Sequence, residues 1–363
     1  MKYIPSFVDP SRLTEIYSSP DIPVFQNVVY PDPESAKTAQ CRNMQLMHCA
    51  ASGFIFNAEF DSSLLDYSTD YQNEQGHSPV FHEHLLEVKQ IAEKHIDKNS
   101  KVVEIGCGKG TFFEMLRSDG YNITGFDPAY EGESKEIVKE YFGKSHRNLN
   151  AEFIILRHTL EHIPDPLLFL KEIAESANSS AKIYIEVPTF EWIANKQAVW
   201  DIFYEHCNYF TVHSLSNFFT LCETGDLFGG QYIYLVANLS VLKNADEVKK
   251  LNDDAGKYTQ LFSDLNHRFN SIIGIPGRKI IWGAGGKGST FLNLFDGGKK
   301  YFDYVVDINP LKQGKYIGHT GHPIYAPVAV QAEKPDHILV MNENYLEEII
   351  KTVNNPEIRI ESI

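Results

Sequence analysis

One glycine-rich segment, VVEIGCGKG from Val102 to Gly110, constrains the fold of this chain more than any other feature. It follows a short apolar run that predicts a buried strand, and a helical pattern from Thr111 to Arg117 comes directly after it. Glycines at such a junction allow a sharp turn and a close approach of the backbone to a ligand. The segment therefore predicts a strand–loop–helix unit of a parallel α/β sheet, with a bound ligand or, alternatively, only a tight turn.

Predicted strands and helices alternate in two parts of the chain, as they do in proteins built from βαβ units around a parallel sheet. In residues 79–243, strands are expected at 101–105, 121–126, 151–156 and 181–187, with helices at 80–95, 111–117 and 166–177. In residues 276–363, strands are expected at 279–282, 302–307 and 337–341, with helices at 290–295 and 345–353. We therefore expect two α/β domains, of which the second is smaller.

The two remaining segments have different patterns. Residues 1–78 are rich in Pro, Asn, Asp and Ser, which indicates an irregular N-terminal arm. In residues 244–275, the apolar residues Leu251, Tyr258, Leu265 and Ile272 recur every seven positions, which predicts one long amphipathic linker helix. Its apolar stripe could pack on the chain's own domains or form the seam of a homodimer, so that both a monomer and a homodimer are open.

Composition excludes several classes of function. Of the 363 residues, 43% are hydrophobic and 22% are charged, as in ordinary globular proteins. The net charge of −15 argues against a nucleic-acid partner, because such binding needs clustered Lys and Arg. No run of apolar residues is long enough to span a membrane, and Met1 to Leu13 lacks the apolar core of a signal peptide. The five cysteines form no C-x-x-C pair, which predicts reduced thiols and a cytoplasmic location.

Two carboxylates support a ligand at the first glycine segment. Glu104 stands at the end of the strand, where it can bind a cationic amine. Asp127 ends the next predicted strand, where a carboxylate can accept hydrogen bonds from both ribose hydroxyls. The spacing of Gly106, Gly108 and Gly110 differs from the G-x-G-x-x-G of NAD-binding folds, which suits a nucleoside ligand without a pyrophosphate.

The segment HTLEH, from His158 to His162, matches the H-x-x-E-H pattern of a class of zinc proteases. That site needs both histidines on one continuous helix. Here the strand is expected to end at Leu156, and Pro164 and Pro166 leave room for only about one helical turn. We therefore predict no metal at this segment, which would instead border the ligand cleft or form a structural turn.

A second candidate segment, FYEHCNYF from Phe203 to Phe210, contains His206 with Glu205 beside it. A histidine titrates near neutral pH, and an adjacent carboxylate can orient it, which is the usual composition of a general base. The alternative is a histidine buried among aromatic residues with only a packing role.

The segment GAGGKG, from Gly283 to Gly288, fits G-x-G-x-x-G, and Asp307 follows at the end of the next predicted strand. It is not a Walker A loop, because Gly288 rather than Ser or Thr follows Lys287. Three interpretations remain open here: an NAD site, a site for a nucleotide substrate, and a structural turn.

In their order and spacing, these segments resemble the three-domain sugar C-methyltransferases from about Ile22 to the C-terminus. The resemblance also includes LEHIPDP from Leu160 to Pro166, Asp307 to Lys315, and His322 to Ile324. It implies a class I methyltransferase Rossmann-like domain that binds S-adenosyl-L-methionine. It further implies a second, C-terminal Rossmann-like domain that closes the substrate cleft and does not use NAD.

The resemblance also implies roles for individual residues. His206 would be the general base with Glu205 beside it, His162 would face the same cleft, and the substrates would be nucleotide-linked 4-ketosugars. An enolate oxygen formed by that base would need a donor such as His162 or Tyr204. The expected cofactor-binding residues are Glu104, Gly106, Gly108, Gly110, Asp127 and His158.

Two departures place the chain in a divergent branch. Where the family carries the Cys pairs of a zinc module, this chain has Pro23 to Gln26 and Cys49 to Ser52, so we predict no structural zinc. Phe203 replaces a family tyrosine and removes one phenol. We expect a C-methyltransferase for a small-molecule acceptor. The alternatives are N- or O-methylation, NAD-dependent oxidation and a catalytically silent binding protein.

Overall fold

The N-terminal part of the chain contains an antiparallel sheet, where the sequence predicts an irregular arm. The computed structural model describes residues 3–65, 76, 78–146, 149–258, 261–262 and 265–363. Its first elements are β1 (Leu13–Pro23), β2 (Val29–Tyr30), α1 (Pro33–Ala36), β3 (Cys41–Cys49) and β4 (Phe54–Asn57). Strand β3 pairs with β1 on one side and with β4 on the other. Because β1 buries only three of its eleven residues, its sequence has little of the apolar alternation by which strands are predicted.

The central α/β unit confirms the fold class that the sequence predicts. Its elements are α2 (Pro79–Glu93), β5 (Lys101–Ile105), α3 (Thr111–Ser118), β6 (Asn122–Phe126), β7 (Ile137–Val138), β8 (Ala151–Arg157), α4 (Pro166–Ser176), β9 (Ala177–Pro188), α5 (Phe190–Lys196), β10 (Asn208–Tyr209), α6 (Val212–Ser216), β11 (Glu223–Leu227) and β12 (Tyr232–Asn238). Seven of these strands form one sheet in the order β11-β12-β9-β8-β5-β6-β7. Strands β5 to β9 run parallel, and β12 and β11 are added antiparallel.

This topology brings distant candidate residues together. Strand β5 lies between β6 and β8, so the carboxyl ends of three parallel strands meet at one edge of the sheet. The glycine loop follows β5, Asp127 follows β6 and His158 follows β8. Ligands of open α/β sheets bind at this edge, which makes it the expected place for a site.

Hydrogen bonding joins the N-terminal sheet to the central unit. Strand β10, directly after His206, pairs with β4 through Asn208 opposite Phe56 and Tyr209 opposite Ile55. The pairing crosses the domain boundary expected at residue 78. The segment that contains His206 is therefore held between two sheets.

The linker differs from the single long helix that the heptad pattern predicts. It contains α7 (Ala245–Val248), a 3₁₀ turn (Ala255–Lys257) and α8 (Leu265–Ile273), while positions 259–260 and 263–264 lie outside the described residues. Asp253 accepts a hydrogen bond from buried His48 at 2.9 Å, and Asp254 accepts one from the N–H of Gly256. Such local side-chain bonds compete with helix formation. Tyr258 and Ile272, two residues of the stripe, are buried within the chain.

The C-terminal domain is the expected second α/β unit. Its elements are β13 (Lys279–Trp282), α9 (Gly286–Phe295), β14 (Val305–Val306), β15 (Tyr316–Ile317), β16 (Ile324–Tyr325), α10 (Ala329–Glu333), β17 (His337–Val340), α11 (Leu346–Val353) and β18 (Arg359–Ser362). Its five-stranded sheet is parallel, with the order β16-β14-β13-β17-β18. Strand β15 pairs instead with β2, which ties this domain to the N-terminal segment.

No helix among the described residues is long and apolar enough to cross a membrane.

An aromatic cluster packs the N-terminal sheet against the central unit. The ring of Phe54, on β4, lies 4.8 Å from that of Phe7 and 5.5 Å from that of Phe210. Phe218 packs against the same ring, and all four side chains are buried. Edge-to-face aromatic contacts of this kind add to the stabilisation from the buried area.

We expect Phe54→Ala to destabilise the protein by about 3–5 kcal/mol, because it opens a cavity at this contact. Urea unfolding monitored by tryptophan fluorescence measures the change. The control is Leu221→Ala, since Leu221 is 76% exposed and its truncation should alter stability by less than about 0.5 kcal/mol. A loss below about 1 kcal/mol for Phe54→Ala would mean that the N-terminal sheet does not depend on this cluster.

Candidate active site

A cleft of about 750 Å³ opens at the carboxyl edge of the central sheet. One side, here called the sheet side, is formed by residues 104–109, 127–129 and 157–159. The opposite, interdomain side is formed by Asp201, Phe203, Glu205 and His206 together with Gly283, residues 285–288 and Lys312 of the C-terminal domain. Asn27 and Phe60 of the N-terminal part complete the wall, so that all three parts of the chain line one cleft.

The first glycine loop needs glycine for two different reasons. Gly106 has φ 75°, and a Cβ atom there would collide with Oγ1 of Thr159. Gly108 has φ 56°, and a Cβ atom there would meet nothing within 4 Å. The first glycine thus allows the loop to pack on the β8 end, and the second leaves the cleft open above the backbone. Gly110 follows as the N-cap of α3.

Asp127 links the end of β6 to the glycine loop. Its Oδ2 accepts a hydrogen bond from the N–H of Gly108, and its Oδ1 accepts one from the N–H of Ala129, both at 2.8 Å. Burial raises the pKa of Asp127, and these two backbone donors oppose that change. The carboxylate is therefore fixed in the cleft at the position where the sequence predicts contacts to ribose hydroxyls.

Glu104 presents an unsatisfied carboxylate to the cleft. The residue is 2% exposed, and among the described residues its Oε2 has no hydrogen-bond partner. Burial raises the pKa of Glu104 to about 7, although the positive charge of Arg157 opposes this change. A buried acceptor without a partner is costly, so the site is complete only when a donor binds there.

These groups fit S-adenosylmethionine. The unpaired oxygen of Glu104 suits the ligand's cationic amine. The open space at Gly108 lets the ligand approach the loop backbone closely, and Asp127 offers acceptors for the ribose hydroxyls. When bound, this cofactor supplies a methyl group on a positively charged sulfur, which keeps the carbon–sulfur electron pair as the methyl leaves.

A buried charge network supports the sheet side. Glu186, at the end of β9, is fully buried and accepts hydrogen bonds from His84 and from Tyr184, each at 2.9 Å. Arg157 lies against both of its oxygens, at 3.2 and 3.4 Å. Burial alone would raise the pKa of Glu186, but Arg157 and the histidines hold it well below its usual range.

His158 joins this network at the edge of the cleft. Its Nε2 lies 2.9 Å from Glu186, and its Nδ1 lies 3.6 Å from Glu161. Burial lowers the pKa of His158, but the two carboxylates outweigh that effect and raise it to about 9. His158 is therefore a cation at neutral pH and lines the cleft, which suits a role towards a carboxylate of the bound cofactor.

Two histidines meet on the interdomain side. The rings of His162 and His206 lie 4.9 Å apart and nearly perpendicular. His162 donates from Nδ1 to the backbone oxygen of Glu205 at 3.1 Å, which leaves Nε2 as its basic nitrogen. Burial and the neighbouring His162 and His158 lower the pKa of His206 well below its usual range. His206 is therefore neutral at pH 7 and able to accept a proton.

The two residues before His206 face other partners. Glu205 lines the cleft, and its Oε1 accepts a hydrogen bond from the N–H of Gln26 at 2.6 Å. Tyr204 is fully buried; its hydroxyl donates to the backbone oxygen of Glu59 and accepts from the N–H of Asp61, both at 3.1 Å. Its hydroxyl is thus occupied by the backbone. This placement argues against Tyr204 as a donor to substrate, the role that sequence adjacency suggests.

The second glycine loop repeats the arrangement of the first. Asp307 accepts a hydrogen bond from the N–H of Ala284 at 2.7 Å and another from the N–H of Asn309 at 2.8 Å. Lys312 is 4% exposed, and its ammonium donates to the oxygen of Ala284 at 3.2 Å and to Asn27 at 3.4 Å. Both of these acceptors are neutral, and burial lowers the pKa of Lys312.

Lys287 and Phe203 connect this loop to the central unit. Lys287 forms an ion pair with Asp201, and both line the cleft. The Phe203 ring packs over Gly286, where a Cβ atom would come within 2.9 Å of it. The same ring lies 4.9 Å from His206, so Phe203 separates the histidine from the second glycine loop.

Three residues of the charge network, His84, Arg157 and Glu186, were not predicted from the sequence. They come from α2, β8 and β9, and no local spacing connects them. One signal was available, because Glu186 interrupts the apolar run from Ile183 to Val187. A carboxylate within a buried strand needs a paired partner.

Within the part of the chain that the structure describes, two groups of side chains have a composition that could hold a metal ion. In each of them, His84 with His158 and Glu186, and Glu161 with His162 and His206, the possible ligand atoms lie within 4.8 Å of one another. Arg157 already occupies Glu186 in the first group. Cys41 and Cys49 stand at opposite ends of β3, about 26 Å apart along an extended strand, so they cannot share one ion.

The absence of a bound metal stays a prediction. Elemental analysis of the purified protein should find no stoichiometric zinc or other transition metal, because the two thiols are too far apart to form a tetrahedral site. Dialysis against EDTA should leave binding of S-adenosylhomocysteine unchanged. One metal ion per chain would contradict the prediction and direct attention to the group around Glu161.

A second prediction concerns Glu104. Affinity for S-adenosylhomocysteine should fall by up to about tenfold between pH 7.5 and 6, because protonation of Glu104 removes the charge that faces the ligand's amine. Calorimetric titration measures this. The Glu104→Gln protein should bind S-adenosylhomocysteine more weakly at pH 7.5, and its affinity should no longer depend on pH. The variant Glu133→Gln, at an exposed position, should behave as the wild type. A Glu104→Gln protein with wild-type affinity at both pH values would remove this residue from the site.

Comparisons with known proteins agree with this geometry. A family model described as a methyltransferase domain matches residues 75–221, and one described as a C-methyltransferase C-terminal domain matches residues 248–358. The C-methyltransferase NovU of Streptomyces niveus is 25% identical over 287 residues, which cover 69% of this chain and 68% of that protein.

Other similarities cover shorter stretches. A tRNA U34 carboxymethyltransferase of Aliarcobacter butzleri is 33% identical over 24% of this chain and 34% of its own length. A solved S-adenosylmethionine-dependent methyltransferase from Archaeoglobus fulgidus aligns with 43% of this chain and 93% of its own, at 18% identity and a TM-score of 0.36. The methyltransferase model spans the glycine loop and both histidines, and the C-terminal model spans the second glycine loop. The chain is similar to C-methyltransferases and is an S-adenosylmethionine-dependent methyltransferase.

Proposed function

We propose that this enzyme methylates a carbon atom next to the ketone of a small, nucleotide-linked keto sugar, with His206 as the general base. The neutral imidazole of His206, placed between the two sides of the cleft, is the observation that carries the proposal. A carbon acceptor must lose a proton before or during methyl transfer. Alignment alone can methylate many nitrogen or oxygen acceptors, but a C–H bond beside a ketone needs a base.

The environment of His206 suits this role. Its pKa is lowered by burial and by the nearby histidines, so the free base is present throughout the neutral range. In the proposed reaction, His206 takes the proton from the acceptor carbon, and the C–H electron pair then forms the new carbon–carbon bond to the methyl group. A positioned base of this kind contributes about 10²–10⁴-fold to a rate.

His162 is the second candidate for the base. Its Nδ1 is bonded to a backbone oxygen, which fixes the tautomer and leaves Nε2 basic. In the neutral form this nitrogen accepts protons and does not donate them. His162 therefore competes with His206 for the role of base and is a poorer donor to an enolate oxygen.

The interdomain side favours an acceptor that carries negative charge. The buried ammonium of Lys312 donates hydrogen bonds to two neutral acceptors and is attracted by the carboxylates of Asp307 and Glu205. The N-terminus of α9 opens into the same cleft beside Lys287. A phosphate would gain charge-assisted hydrogen bonds from these groups. Asp307 holds the second glycine loop as Asp127 holds the first, which supports a nucleotide-linked acceptor.

We also place the enzyme in the cytoplasm. All five cysteines have free thiols, and those of Cys49, Cys107 and Cys207 are buried. Burial raises the pKa of Cys41 to about 11, which keeps this partly exposed thiol protonated and unreactive.

A labelled-methyl assay tests the proposed acceptor class. Enzyme and S-adenosyl-[methyl-³H]methionine are incubated with several nucleoside-diphosphate 4-keto-6-deoxyhexoses, and NMR of the product locates the methyl group. Transfer to a carbon next to the ketone is expected. The corresponding free sugars are matched controls and should react poorly, because they lack the phosphates. Transfer to oxygen or nitrogen would replace the proposal with its alternative.

His206→Asn should lower turnover by about 10²-fold or more, because the base is lost, while affinity for S-adenosylhomocysteine stays within about twofold. His162→Ala, measured in parallel, tests the competing base. Since the pKa of His206 is lowered, the wild-type rate should not decline on acidification until the pH is below about 6.5, the ordinary value for histidine. Wild-type turnover in His206→Asn would exclude the assignment.

A further inference from the structure

Glu161 is a buried carboxylate on the acceptor wall of the cleft that the proposed reaction has not yet used. It lies in the 3₁₀ turn Leu160–His162, between β8 and α4, and is 2% exposed. One of its carboxylate oxygens lies within 4.8 Å of ring nitrogens of both His162 and His206. Its side chain also lines the cleft, so it shares the surroundings of the proposed base.

The hydrogen bonding of Glu161 is incomplete. Its Oε1 faces His158 at 3.6 Å, but among the described residues its buried Oε2 has no hydrogen-bond partner. Glu186 is equally buried, and both of its oxygens are paired. A carboxylate retained only for packing or structure would be expected to satisfy both oxygens, since an unpaired buried one is costly. This oxygen of Glu161 is therefore open to a partner that forms during the reaction.

A protonated imidazole is such a partner. At rest His206 is neutral, but once it has taken the acceptor's proton it becomes a cation in a half-buried position. The other nearby carboxylate, Glu205, is held by the N–H of Gln26 at 2.6 Å. One carboxylate oxygen of Glu161 lies within 4.8 Å of ring nitrogens of both histidines, which places this carboxylate next to the imidazole that becomes charged.

We propose that Glu161 is the positioning residue that orients His206 and offsets the charge of its imidazolium after proton transfer. This inference rests on the proposed function of His206. The proton stays on His206 and is released to water after the product leaves; Glu161 contributes charge and orientation and does not itself take the proton. A buried carboxylate beside a catalytic histidine has this role in the serine protease triad.

Other ionisable groups act on the same imidazole. His158 and His162 face it from the end of β8 and the following turn, Glu205 precedes it on its own segment, and Lys312 of the C-terminal domain interacts with Glu205. Of these four groups, Glu205 is the one that carries a carboxylate, the kind of charge that favours an imidazolium. The test must therefore distinguish Glu161 from Glu205.

Kinetics of Glu161→Gln provide the first measurement, with the keto sugar that the wild type methylates. We expect kcat to fall at least about tenfold, with KM and the affinity for S-adenosylhomocysteine within about twofold, because the amide keeps the shape and loses the charge. Glu161→Asp should recover part of the loss. Exposed Glu133→Gln is the matched control and should retain wild-type turnover. A larger loss of kcat in Glu205→Gln than in Glu161→Gln would overturn the proposal.

NMR of the His206 ring nitrogens in the complex with S-adenosylhomocysteine provides a measurement that needs no acceptor. Spectra of wild type, Glu161→Gln and Glu133→Gln are compared between pH 4 and 8, and His206→Asn assigns the signals. Glu161→Gln should alter the ring-nitrogen shifts and reduce the protonated fraction at every acidic pH, because a nearby carboxylate favours the cation. Unchanged His206 signals in Glu161→Gln would overturn the proposal.

The two measurements separate this inference from the function on which it rests. If no keto sugar is methylated but the His206 signals change in Glu161→Gln, the acceptor is wrong and the carboxylate–imidazole coupling stands. If keto sugars are methylated and neither kcat nor the signals respond to Glu161→Gln, the function stands and the inference fails. Finding a divalent ion that is lost in Glu161→Gln would also overturn the inference, since the free oxygen would then be a metal ligand.

Discussion

The fully buried carboxylate of Glu186 is the interaction on which the sheet side of the cleft depends. It collects donors from α2, β8 and β9, namely His84, Arg157 and Tyr184, and it lies beside the charged His158. Its removal would leave Arg157 without its ion-pair partner and His158 with Glu161 alone, and the free energy of unfolding would fall by an amount of the order of 3–5 kcal/mol. The same charges set the electrostatic surroundings of Glu104, whose negative form is favoured by Arg157. Cofactor recognition is thus built on an ion network that does not itself need to touch the ligand.

The sequence predicted the parts of the site that are local and missed those that depend on tertiary contacts. Gly106, Gly108 and Asp127 belong to one strand–loop–helix–strand unit, whose geometry follows from residue type and spacing. Glu186 and His84 join the site only through the packing of separate elements. Sequence adjacency does not reveal the partners of the irregular segment before β10. There the hydroxyl of Tyr204 donates to the backbone oxygen of Glu59, which leaves it poorly placed to donate to an enolate oxygen, and Glu205 accepts a hydrogen bond from the N–H of Gln26.

The fold was predicted best where strands are apolar and parallel. Strand β5, most of β8 and residues 183–187 of β9 are buried on both faces and are predicted as apolar runs. Strand β1 buries only three of its eleven residues and has the composition of a loop. The prediction of one long linker helix is wrong for a different reason. Its heptad pattern is present, but Asp253 is bonded to His48 of β3, and Asp254 is bonded to the backbone of Gly256. These bonds lie between the two linker helices, and a periodic apolar pattern does not predict them.

The two α/β units share one structural arrangement, but the charges around it differ. In each, an aspartate at the end of a strand accepts an N–H from the preceding glycine loop, as Asp127 does for Gly108 and Asp307 does for Ala284. The charges around them differ. The sheet side carries an unpaired carboxylate at Glu104, which suits a cationic ligand, and the interdomain side carries the ammonium of Lys312, which suits an anionic one. Between them lies His206, which burial keeps neutral. In the proposed reaction His206 is uncharged at first and becomes a cation only when it takes the proton. The nearby carboxylate of Glu161 would then offset that positive charge.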